Sequence, residues 1–389
     1  MVNNFMDPVI KDYLFHDAPL KSFFGKVLVV LIAAGLLVLA FFGWRSLMSE
    51  ENLFQIVIWV PYSLVGSILG YLVIAFLDRE RRVRFFHFFT ILSVLLITAP
   101  CAAYLNGISP FKLWSVGFIE EGFKILPVLL LAIFVPNLIR SRKDGIVYGA
   151  LAGMGFNIIE IGLYIAKALH DNTVLEALYQ HSTRLGLWGL GAHIITSAFV
   201  GMGIGFAAES TAHGWPKWRR AVIFYLLAAV AHSAYDFGAS GIGLAGVTFL
   251  ETWWTGTRFE DAMATQGMVP GPLRDGMKYG QYIWYLAFII VLIVQTRRSF
   301  AWENTLQRYE LSSEEPAVIT KDELRKLEGE RLFFKRRYSE FPKSVSEKIV
   351  LYQNLLAMQK HTAAQQGRSV EKVEPVAALR KAIQGFRSN

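Results

Sequence analysis

Long apolar stretches, each about the length of a membrane-crossing helix, alternate with short charged connections through the first three quarters of the chain. A helix needs about 20 apolar residues to cross the hydrocarbon core of a bilayer. Eight segments qualify: Val27 to Trp44, Leu53 to Leu77, Phe85 to Leu105, Lys112 to Pro136, Gly145 to Leu169, Leu185 to Ala208, Ala221 to Phe237 and Tyr279 to Val294. A further apolar stretch, Gly238 to Trp254, is broken by Gly241, Gly243 and Gly246 and is expected to be re-entrant or interfacial. From about Ser299 the pattern becomes that of soluble helices. Val345, Ile349, Tyr352 and Leu356 repeat at helical spacing, and S/T-x-x-E at Thr320 to Glu323 and Ser344 to Glu347 predicts two capping boxes. The predicted fold is all-α: a polytopic membrane bundle of about eight transmembrane helices over residues 1–298, with a small cytoplasmic helical region over 299–389.

Charge orients this bundle. Arg79, Arg81, Arg82 and Arg84 fall between spans two and three, and Arg140, Arg142 and Lys143 between four and five. Lys217, Arg219 and Arg220 fall between six and seven, and Arg297 and Arg298 follow span eight. With eight spans all four clusters lie on one side, so the positive-inside rule predicts a multi-pass protein of the inner cell membrane with both termini cytoplasmic. The composition agrees: 53% of the 389 residues are hydrophobic, and the mean hydropathy is +0.37. A net charge of +8 does not imply nucleic acid, because the cations sit at span ends instead of along one face. The N-terminal segment has no small-residue cleavage site after its first apolar run and reads as an uncleaved anchor. The single cysteine, Cys101, excludes an intrachain disulfide and reads as packing.

Ionisable side chains inside a membrane cost several kcal/mol unless they face a cavity or one another, so they mark function. Spans four to seven hold Glu120, Glu121, Lys124, Glu160, His193, His232 and Asp236. Counting about 1.5 Å of rise per residue from the span ends puts Glu120, Glu160, His193 and His232 between the midplane and the outer third of the bilayer. Glu120 and Lys124 are i,i+4 neighbours and Glu121 is i,i+3 from the same lysine, so one carboxylate can be neutralised while the other stays available. Asp236 lies i,i+4 from His232, where a carboxylate can fix the imidazole tautomer. Gly149 with Gly153, and Gly201 with Gly205, form G-x-x-x-G pairs that let the Glu160 and His193 helices approach closely. Phe156 reads as packing, and His87, His170, His181 and His213 as solvated loop residues.

Four motifs in order carry a resemblance. The E-E-x-x-K of Glu120 to Lys124, the G-x-x-x-G-x-G-F-x-x-x-E of Gly149 to Glu160, the A-H-I-I-T-S-A-F-V-G around His193 and the H-S-A-Y-D of His232 to Asp236 resemble the PrsW family of intramembrane metalloproteases. They are also similar to the wider superfamily that includes the CAAX prenyl proteases and bacteriocin-processing enzymes. The likeness covers about Lys112 to Gly238. One departure is Ile161 after Glu160, where the resemblance implies Asn. It implies cleavage of a single-pass membrane protein, such as an anti-sigma factor, near the outer side of the membrane.

Peptide hydrolysis needs an activated water, a stabilised oxyanion and a proton for the leaving amine. Two histidines and a carboxylate form a common catalytic zinc set. The expected metal ligands are therefore His193, His232 and Glu160, with Glu120 or Glu121 as general base, Lys124 tuning that pair and Asp236 supporting His232. A metal-free glutamate protease uses the same groups. A proton- or cation-coupled transporter also places carboxylates, histidine and lysine inside the membrane. It is disfavoured because no internal repeat is visible and Gly122 is the only break beside the acids.

Overall fold

The computed structural model describes residues 7–19, 22–48, 50–78, 83–110, 112–170, 174–185, 189–239, 272–327 and 336–388. Every regular element among them is helical. In chain order these are α1 (Pro8–Phe15), α2 (Phe23–Leu47), α3 (Glu50–Leu77), α4 (Arg84–Ile108), α5 (Lys112–Phe134), α6 (Arg142–His170), α7 (Val174–Arg184), α8 (Ala192–Glu209), α9 (Trp215–Ala239) and α10 (Pro272–Leu311). The C-terminal region adds α11 (Lys321–Lys326), α12 (Lys343–Gln365) and α13 (Glu374–Ser388). Six helices, α2, α3, α4, α6, α8 and α10, contain segments long and apolar enough to cross a membrane. The other two predicted spans correspond to α5 and α9, of 23 and 25 residues. Their apolar runs are interrupted by Glu120, Glu121 and Lys124 in α5 and preceded by Lys217, Arg219 and Arg220 in α9. The molecule is an all-α, multi-pass membrane bundle.

Helix α6 is the central element and is almost wholly buried, whereas α2 exposes most of its surface. Small residues explain how α6 sits so deep. A Cβ on Gly149 would collide with the carbonyl of Ser197, one on Gly201 with that of Gly145, and one on Gly205 with that of Ser141. The predicted glycine pairs thus form the α6–α8 contact, backbone against backbone. Helix α4 contains a π-helical stretch, Val94–Thr98, just before Pro100. A proline frees the carbonyl four residues earlier. That carbonyl, of Leu96, accepts the indole N–H of Trp44 at 2.8 Å, and Gly43 brings α2 close enough for the bond.

Several expectations are corrected. Span six begins at Ala192 and not at Leu185: α7 ends at Arg184, and Gly191 lies against the Arg184 carbonyl just before α8 starts. Helix α10 runs without a break for 40 residues, beyond the Val294 end expected of span eight. The capping box at Thr320 and Glu323 is present, but Ser344 lies inside α12, whose N-cap is Pro342. His87 is not solvated: it is buried, with Nε2 2.9 Å from Asp78. His181 meets the Tyr62 hydroxyl at 3.0 Å. The re-entrant segment expected over Gly238 to Trp254 lies, from residue 240 onward, outside the described residues.

The C-terminal helices are bonded to the ends of the membrane helices by polar contacts. The Arg140 guanidinium donates to the Met358 carbonyl at 2.8 Å, to Thr362 and to Gln359, each at 3.0 Å. Glu303, on the extension of α10, accepts from Lys143 and Ser141 at 2.6 Å each.

Candidate active site

Helix α5 supplies three charged side chains on one face. Lys124 Nζ lies 3.3 Å from Glu120 and 3.0 Å from Glu121, the i,i+4 and i,i+3 contacts implied by the spacing. Glu121 and Lys124 are fully buried. A desolvated ammonium needs several compensating partners. Lys124 has two more: Nδ1 of His193 at 2.7 Å, and the face of Phe156, whose centroid is 4.2 Å away. Phe156 is therefore packing and also a cation–π partner.

Helices α6, α8 and α9 add the remaining groups. His232 Nδ1 lies 2.9 Å from Oε1 of Glu121, and its Nε2 lies 3.6 Å from Oε2 of Glu120. Oε1 of Glu121 also accepts from the Thr196 hydroxyl at 3.1 Å, so this oxygen is held by three side chains. His193 Nε2 contacts Oε2 of Glu160, whose other oxygen is 3.4 Å from Arg184. Oε1 of Glu120 accepts from Asn106 at 3.0 Å. The two imidazole rings are 5.2 Å apart.

Glycines make this convergence possible. A Cβ on Gly153 would collide with the His193 carbonyl, and one on Gly117 with the Ala229 carbonyl and Ser233. The first brings α6 against the start of α8, the second α5 against α9. His193 stands in the first turn of α8, not eight residues inside a span as the depth count assumed. It still reaches Glu160, because the chain before α8 is fixed nearby. Asn157 donates to the Arg184 carbonyl at 2.7 Å, and only a glycine fits at 191 against that same carbonyl.

The structure thus brings together six of the seven predicted residues: Glu120, Glu121, Lys124, Glu160, His193 and His232. The seventh, Asp236, lies on α9 one turn beyond His232, with its side chain outside the described residues. Sequence reasoning missed Asn106, Thr196 and Arg184. Thr196 carried a usable signal, being i+3 from His193 on the same helix face. Asn106 and Arg184 carried none, since neither has a nearby partner along the chain.

The residues fit a metal. Glu120, His193 and His232 each offer one ligand atom, all within 4.8 Å of one another, and all three side chains are buried. This is the two-imidazole, one-carboxylate set of catalytic zinc sites. Oε2 of Glu120 is buried with only Lys124 at 3.3 Å and His232 Nε2 at 3.6 Å beside it, so carboxylate coordination capacity is left over. Glu160 is not one of the three. It stands behind His193, against the nitrogen that His193 turns toward it.

Residues 69–255 match the family model of the PrsW family intramembrane metalloproteases. Protease PrsW of Bacillus subtilis (strain 168) is 27% identical over 150 residues, 37% of this chain and 62% of that relative's length. No solved structure matches. The resemblance carried by the four motifs holds across the segment that builds the site.

Proposed function

We propose that this chain is an intramembrane protease that hydrolyses a peptide bond of a membrane-embedded protein substrate. The observation that supports this best is the buried meeting of Glu120, Glu121, Lys124, Glu160, His193 and His232 from four helices of a membrane bundle. No structural need of the bundle accounts for so many ionisable groups together. The PrsW likeness, the name of the relative and the donor set agree with metal dependence, and zinc is the proposed ion. By the same likeness the substrate is a single-pass, anti-sigma-factor-like protein cut near the outer side of the inner membrane, and nucleic acid has no part.

In this reading Glu120, His193 and His232 hold the ion, which supplies Lewis acidity for the scissile carbonyl. Glu121 accepts from Nδ1 of His232 and so presents Nε2 to the site, the usual support of a ligating histidine. Glu160, held by Arg184, takes the proton from the attacking water and passes it to the leaving amine. Lys124 balances the charge of Glu120 and Glu121. Asp236 is assigned a supporting role one turn from His232.

One contact favours the metal-free alternative. Lys124 donates to Nδ1 of His193, which leaves the ring proton on Nε2, facing Glu160. A ligating Nε2 needs the other tautomer, so the ammonium must then rely on Glu120, Glu121 and the Phe156 ring. Metal analysis of the purified protein separates the two. Under the metal reading wild type carries about one zinc and His232→Ala little, and Glu120→Gln leaves a co-expressed single-pass substrate uncut in stable, membrane-inserted protein. Normal cleavage by Glu120→Gln, Glu121→Gln and Glu160→Gln alike would refute the protease site.

A further inference from the structure

We propose that the cavity between the ends of the membrane helices and the C-terminal helices binds the phosphate headgroup of an anionic phospholipid. This cavity, of about 440 Å³, lies away from the Glu–His cluster, at the opposite end of α8. It has the size of a small-molecule site. Ends of α5, α8 and α9 form one wall, and α12 with the extension of α10 forms the other. It therefore sits where the spans end, at the level of lipid headgroups.

The lining is amphipathic. Ala132, Ile204 and Ala208 form an apolar side continuous with the bundle, while Lys217, His213 and His361 give a polar side. Trp218 and Trp302 also border it, and Trp215, at the start of α9, is 62% exposed, as expected of side chains at a membrane boundary.

The charges around the cavity leave one cation available. Asp17 is paired with Arg368 at 2.9 Å and Glu209 with Arg142 at 2.8 Å. The Arg140 guanidinium is taken by Met358, Thr362, Gln359 and Asn137. His361 lies 3.4 Å from Glu310. Among the described residues Lys217 has no carboxylate partner, only the Trp218 ring at 5.9 Å. Arg219 and Arg220 follow it in α9, both exposed. A half-buried ammonium beside a histidine, hydroxyl groups and indoles suits a phosphodiester, and a basic pocket between membrane helices is where an anionic headgroup binds. The apolar wall favours a lipid over a free anion, which would leave that wall wet. A lipid here would tie α5 and α8, which carry Glu120 and His193, to the C-terminal helices. The inference does not depend on protease activity.

The test uses the full-length protein in a neutral detergent, with thermal unfolding as the readout. Phosphatidylglycerol in about hundredfold excess over its dissociation constant should raise the midpoint by about 2 °C or more, while phosphatidylcholine should not. Lys217→Glu should lose most of that shift, and Arg325→Glu, a change at an exposed residue in α11, should keep it. If Lys217→Glu does not fold, Lys217→Gln with phosphorus retained through gel filtration gives the same comparison, and it should retain less lipid than wild type. Equal shifts with both lipids, or an unchanged shift in the Lys217 variants, would overturn the proposal. An equal shift with millimolar inorganic phosphate would overturn the lipid assignment in favour of a free-anion site.

Discussion

Glu120, Glu121 and Glu160 are three carboxylates in one site, and their surroundings divide the work. Glu121 is fully buried, and one of its oxygens accepts from Lys124, Thr196 and His232, so it can position His232 but has little freedom to shuttle protons. Glu120 and Glu160 each turn Oε2 toward an imidazole instead, Glu120 toward His232 Nε2 at 3.6 Å and Glu160 toward His193 Nε2. Glu120→Gln should lower bound zinc, because the amide is a poorer ligand. Glu160→Gln should keep zinc near the wild-type level yet lose roughly 10² to 10⁴ in cleavage rate, the usual contribution of general acid–base catalysis. Zinc lost from Glu160→Gln and kept in Glu120→Gln would reverse the two roles, restoring the ligand set first read from the sequence. The residues themselves were legible, since ionisable groups in apolar helices stand out. Their division of labour was not, because it depends on which oxygen faces which nitrogen across helices. Arg184 could not be found for the same reason: its link to Glu160 joins the end of α7 to α6, across helices.

At the scale of the element, the helices were legible from their apolar runs, and the α6–α8 contact from its glycines. What failed were boundaries set by tertiary contacts. The apolar character of Leu185 to Leu190 suggests helix, yet α8 starts only at Ala192, after Gly191, which lies against the Arg184 carbonyl. Gly149→Leu should destabilise the bundle by about 2 kcal/mol or more, since its Cβ would meet backbone that cannot move aside. Gly107→Ala, with nothing within 4 Å, should leave the unfolding midpoint unchanged or slightly higher. A second case concerns α10, α12 and α13, which meet at Glu314. Burial pushes this carboxyl up, but Arg380 and Lys360, at 2.8 and 2.6 Å, outweigh it and hold Glu314 below the usual carboxylate range. A folded pKa below the unfolded one stabilises at pH above the unfolded value, and that stability is lost as pH falls through the folded value. The C-terminal helices should therefore loosen in mild acid, and Glu314→Gln should weaken them at neutral pH while flattening that pH dependence. Limited proteolysis of the C-terminal region from pH 7 down to pH 3 checks both.

For the whole molecule, the four basic clusters predict which end faces the cytoplasm, and the structure offers clean places to test it. Gly107, at the end of α4, is exposed with open space around it, and Arg219, near the start of α9 beside a basic cluster, is also exposed. With eight crossings and cytoplasmic termini, position 107 faces outward and position 219 inward. Cys101 is buried, and Cys101→Ala provides a background without a native thiol. In that background Gly107→Cys should be modified in intact cells by a membrane-impermeant maleimide, and Arg219→Cys only after permeabilisation. The opposite pattern would turn the bundle over and put the Arg140–Met358 junction and the C-terminal helices outside. The result bears on the site as well, because His193 lies at the end of α8 remote from that junction. If Gly107→Cys is labelled from outside, the Glu–His cluster lies toward the outer half of the bilayer, where a protease of this kind would meet the outer part of a single-pass substrate.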